Sequence, residues 1–187
     1  MLPYLVQTAH HITDQFLRDW QSQPYRWDYE LDVQIELASR LSAFCRLIGQ
    51  DTVAGHYPEH LVPGYPAPQQ WPRIVCEAKI TYRYSDGAIY TCRPDIVIWD
   101  DIPDPRHPPI ESQWPILWAC EIKYHAEEPD DWDSEKLTYL SEQGQVQYGC
   151  WITMLRSIAP SGMGITWDQE LRNERIWLCK AQLPATA

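Results

Sequence analysis

Two runs decide how the chain is read: Arg93-Pro94-Asp95-Ile96-Val97-Ile98-Trp99 and Ile116-Leu117-Trp118-Ala119-Cys120-Glu121-Ile122-Lys123-Tyr124. Both are apolar and of strand length. The first is entered through Pro94-Asp95, and the second ends in Glu121-Ile122-Lys123. Residues two apart on a strand face the same side, so Glu121 and Lys123 share a face and Ile122 turns into apolar packing. If the two strands are neighbours, Asp95 and Glu121 can share a hard cation such as Mg²⁺ (or Mn²⁺ in its place) through oxygen ligands. The Ile122 carbonyl is a natural further ligand. Lys123 then stands beside the cation, placed to orient a water or help deprotonate it. A bound cation lowers the pKa of that water and stabilises charge growing on a phosphate oxygen, which suits phosphodiester hydrolysis.

Upstream, residues 74–84, the turn Ser85-Asp86-Gly87 and residues 88–92 predict a β-hairpin. This hairpin holds a rival acidic-X-Lys, Glu77-Ala78-Lys79, with no Pro-Asp before it. It reads as a cross-strand charge pair. Further upstream, Leu5, Ile12, Phe16 and Trp20 predict a helix over 4–21 that Pro24 ends; His10 and His11 on it read as surface or cap residues. A second helix is expected over 29–48, capped by Asp28 and stopped by Gly49. Its apolar stripe is Val33, Leu37, Leu41, Phe44 and Ile48. Glu30 projects near the centre of that stripe, and Glu36 and Arg40 lie on its flank. A carboxylate aimed at an apolar face needs a partner, so Glu36 or Glu30 is expected to complete the metal site. Residues 50–72, with five prolines and with His56 and His60, predict a loop, of a length that often serves as a lid or substrate contact.

Downstream, residues 100–115 form a proline-rich loop and 127–133 an acidic connection. A helix is expected over 135–147, capped by Asp133 or Ser134, with Lys136, Gln143 and Gln147 along one edge. Residues 150–158 predict a strand or buried helix, and 175–181 a last strand. The whole order predicts a mixed α/β domain with a central sheet.

Pro94-Asp95, a spacer, then Glu121-Ile122-Lys123, each on an apolar run, resembles the PD-(D/E)XK nuclease superfamily of restriction-endonuclease-like folds. The resemblance covers about residues 28–155. It implies an α/β fold with a four-stranded mixed central sheet flanked by α-helices, Mg²⁺ dependence and phosphodiester cleavage leaving a 5′-phosphate. By this likeness Asp95 and Glu121 are metal ligands, Lys123 is the catalytic lysine, and Glu36 or Glu30 is the helix-borne carboxylate. The spacer of 25 residues is long and proline-rich. Helicase-associated relatives carry Gln-xxx-Tyr on the next helix, whereas here Tyr148 lies five residues past Gln143, so that exonuclease subgroup is not supported. The run Asp133-Ser134-Glu135-Lys136-Leu137 is similar to one that follows the core motif in some uncharacterised members.

The 187 residues fit one nuclease-like domain, with helix 4–21 and strand 175–181 as additions to its core. No run is long enough to span a membrane, and the N-terminus lacks a signal-peptide pattern, so a cytoplasmic protein is expected. Six cysteines without a CxxC pair argue against a zinc ribbon and for buried free thiols. Net charge is −11, and residues 100–147 alone carry 3 basic and 12 acidic residues. That favours a cation and opposes a nucleic-acid surface, which normally needs a basic footprint. Arg73, Lys79, Arg83, Arg93 and Lys136 are the basic residues available for phosphate. A homodimer, a basic partner protein or a state controlled by an anionic regulator would reconcile the acidity with DNA, the leading substrate. Two rival functions remain: a catalytically silent binding or assembly module on the same fold, and a hydrolase of small phosphate esters.

Overall fold

The computed structural model describes residues 2–55, 69–83, 87–101, 114–124, 131–158, 164–169 and 175–184. The chain opens with α1 (Tyr4–Ser22) and α2 (Glu30–Leu47), followed by the short strands β1 (Thr52–Gly55), β2 (Gln69–Pro72), β3 (Ile74–Cys76), β4 (Ile80–Arg83), β5 (Ile89–Cys92) and β6 (Ile96–Trp99). The long strand β7 (Ile116–Tyr124) leads through α3 (Asp131–Glu142) to β8 (Val146–Ile158), β9 (Ile165–Gln169) and β10 (Ile176–Leu183). No helix among the described residues is long and apolar enough to cross a membrane.

The fold is mixed α/β, built on a six-stranded sheet in the order β3-β6-β7-β8-β10-β9. Strands β3, β6 and β7 run antiparallel in turn, β7, β8 and β10 run parallel, and β9 closes the far edge antiparallel to β10. Two more strands are thus present than the four the resemblance implies. Strand β10, expected as an addition, lies inside the sheet. The parallel step from β7 to β8 needs a crossover, which α3 provides. Central strands buried on both faces read as unbroken apolar runs rather than alternations. That is why Ile96–Trp99 and residues 116–120 are uniformly buried.

The two faces of the sheet carry two cores. Helices α1 and α2 cover the first with Phe16, Leu17, Trp20, Val33 and Leu37 against Ile96, Trp118, Cys120 and Ile122. Helix α3 and the β1–β2 and β4–β5 ribbons cover the second, where Leu137, Leu140, Val53 and Ile80 meet Val97, Trp99, Ala119 and Trp151.

Several expectations are corrected. The hairpin over 74–92 is divided: β3 joins the main sheet, while β4 and β5 form their own ribbon. The supposed loop 50–72 begins and ends in the paired strands β1 and β2; residues 56–68, with His56 and His60, lie outside the described residues. Asp28 does not cap α2 but pairs with Arg156 at 2.8 Å, and the Tyr29 amide donates to Asp32 Oδ2 instead. His10 is not a surface residue. It packs against Trp118, Trp167 and Trp177, and burial lowers its pKa to about 4, so it stays neutral near pH 7. All six cysteines are free thiols, five of them buried and Cys76 exposed.

Helix α3 ends at Glu142, five residues before the expected stop, because Gly144 adopts φ +72°. The Gly144 amide donates to Ser141 O and the Gln145 amide to Leu140 O, a Schellman closure. Gln143 and Gln147 therefore do not continue the Lys136 edge. Gln143 is exposed in the turn, and Gln147 sits on β8 with its Nε2 donating to Asp100 Oδ2 at 2.5 Å.

Candidate functional site

The site forms where β6 begins beside the end of β7. The antiparallel register pairs Ile96 with Cys120, so one step further Asp95 is level with Glu121. Their neighbours on alternate positions, Val97 and Ala119, both lie in the α3-side core, which puts Asp95, Glu121 and Lys123 on that face. Asp95 is buried, and its Oδ2 accepts the Ile122 amide at 2.6 Å. A carboxylate side chain thus continues the ladder at the point where the β6 backbone leaves it.

The surroundings of Asp95 are electrically acidic. Burial raises its carboxyl from the ordinary 3.8 to about 6; Glu30 and Glu77 push the same way, against the Ile122 amide and Lys123. Glu30, in the first turn of α2, accepts the Tyr124 amide at 3.3 Å. It is the helix carboxylate that reaches this end of β7. Glu36 is not. It forms an ion pair with Arg40 at 2.9 Å, and Arg40 also holds Asp19 of α1 at 2.6 Å. Six residues beyond Glu30, Glu36 is turned about 240° around the helix axis and faces α1.

Two residues of the site escaped the sequence reading. Gln34 lies one turn after Glu30, inside the buried stripe of α2. Its Nε2 donates to the Asp95 carbonyl at 2.6 Å and to Glu77 Oε1 at 3.3 Å. Glu77 is therefore not half of a cross-strand charge pair. It occupies the break between β3 and β4 with φ +55°, and its amide donates to the same Asp95 carbonyl at 3.2 Å. A polar residue flanked by Val33, Leu37 and Ala38 was the signal available for Gln34. A left-handed glutamate has none, since the usual occupants are Gly and Asn.

Glu121 is buried on the other side of this cluster, and Lys136 of α3 meets it: Nζ lies 2.5 Å from Oε1. Cys92 adjoins the pair, its thiol raised by burial to about 11. Among the other basic residues, Arg93 and Lys79 are exposed. Arg73 is buried, donating to the carbonyls of Gln50 and Trp99 and to Asp101, so it is withdrawn as a phosphate contact. The Arg83 side chain lies outside the described ones.

The donor set is chemically right for a hard cation: oxygens only, with excess negative charge around Asp95. It is not a closed cage, since no three His, Cys, Asp or Glu among the described residues stand grouped to hold a metal ion. The residues fit a cation bound by Asp95 and Glu121 with backbone and water completing the shell, as Mg²⁺ commonly takes. No protein-family model, curated protein or solved structure matches this chain.

Proposed function

We propose that the chain is a Mg²⁺-dependent phosphodiesterase of nucleic acid, with DNA as its leading substrate, on a restriction-endonuclease-like fold. The observation that carries this is the pairing of β6 with β7, which sets Asp95 beside Glu121-Ile122-Lys123. Asp95, Glu121 and the Ile122 carbonyl would hold the cation, with Glu30 rather than Glu36 adding negative charge from α2. The cation would lower the pKa of a bound water and stabilise charge on the phosphate. Lys123 shares the Glu121 face of β7 and is half-buried, which suits it to orient the attacking water. The Ile122 amide and Gln34 keep Asp95 fixed from two sides.

The test is cleavage of single- and double-stranded DNA and RNA with Mg²⁺ or Mn²⁺, by the parent and by Asp95→Asn and Lys123→Met. Metal-dependent cutting by the parent alone is expected. Failure of the parent on every substrate, or undiminished cutting by both variants, overturns the proposal.

One observation favours a silent binding module instead: Tyr29, Leu31 and Ile35 form an exposed apolar row on and beside α2. Calorimetric titration without any Mg²⁺ or Mn²⁺ binding at millimolar concentration would support it.

A further inference from the structure

Lys136 and Glu121 form an ion pair whose side chains are only 10% and 4% exposed, respectively, with Nζ and Oε1 2.5 Å apart. A buried carboxylate is strongly unfavourable without a compensating positive charge. Here Lys136 brings such a charge from the next helix, beside the buried Leu137 and Leu140. The lysine stem is flexible and its head is a compact point charge rather than a rigid fork. Helix α3 is fixed independently of it, by those two leucines and the Gly144 closure.

Resting on the metal-dependent reading above, we propose that the Lys136 ammonium is a resident cation on Glu121, displaced when a divalent cation binds there. Lys136 then competes with the metal and is a positioning residue of the metal-free state. The opposite role, orienting Glu121 for the metal, makes the opposite prediction, since loss of an orienting partner weakens metal affinity by roughly 10–100-fold.

The experiment is calorimetric titration of Mn²⁺ alone into the full chain, as parent, Lys136→Met and Lys136→Gln, the last keeping a hydrogen-bond donor should the first fail to fold. Competition predicts tighter Mn²⁺ binding in both variants, by on the order of tenfold, the scale on which groups around a ligand move affinity. Nitrogen-15 spectra of the lysine side chains, taken with Mg²⁺, are expected to show one ordered ammonium signal lost or shifted on binding. A parent that binds while the variants bind equally or more weakly overturns the displacement and leaves the metal site standing. Absence of binding in all three overturns both.

Discussion

Asp95 Oδ2 accepts the Ile122 amide at 2.6 Å, from a position level with Glu121 on the neighbouring strand. The contact ties one carboxylate oxygen to the β7 backbone. It also keeps the group partly charged in a place where burial, Glu30 and Glu77 favour the protonated acid.

The sign of the resulting pH dependence follows. Asp95 titrates at about 6 folded against an ordinary 3.8, so the native state holds the proton more tightly than the unfolded chain. Its stability contribution is fullest below pH 4, falls as pH rises to about 6 and is level above. Asp95→Asn removes the penalty. At pH 7.5 without divalent cation it is expected to be more stable than the parent by up to about 3 kcal/mol, a gap that closes near pH 4. Urea unfolding at both pH values measures it; added Mn²⁺ should stabilise the parent but not the variant.

Glu30 and Glu36 separate cleanly. Glu30→Gln is expected to weaken Mn²⁺ binding about tenfold. Glu36→Gln loses a part-exposed i,i+4 pair worth about 0.5 kcal/mol and leaves the metal isotherm unchanged. Equal isotherms for the parent and both variants would remove α2 from the site.

Gln34→Ala leaves the buried Asp95 carbonyl without its side-chain donor. A loss of about 1–3 kcal/mol is expected in denaturant unfolding. Gln34→Leu, which fills the space without the donor, should recover little of it.

Gly144→Ala puts a side chain where φ is +72°. A cost of about 1 kcal/mol is expected, and amide exchange should show fraying confined to the last turn of α3.

Much of this was legible because its signals are local. Apolar runs gave β6 and β7, periodic spacing gave α1 and α2, and alternation put Glu121 with Lys123. Several of the failures depended on partners remote in sequence. Glu36 reads as well as Glu30 until Arg40, itself anchored to Asp19 of α1, claims it. Arg73 reads as a free cation until Asp101 and the Trp99 carbonyl surround it. Strand β9, with its exposed Thr166 and Asp168 at the sheet edge, carries only a weak apolar pattern. The Gly144 stop was readable, but the residues beyond it, Gln145 to Gly149, suit either a helix or a strand.

The order of strands along the chain differs from their order in space, and this bears on synthesis. β9 leaves the ribosome before β10, yet its partner among the described residues is β10, which inserts between it and β8. Until that late segment emerges, the nascent chain presents the flank of β8 as an open template for another molecule. The sheet therefore stays incomplete until residues 176–183 are available to pair. A stop codon at residue 175 would remove an interior strand rather than trim an edge.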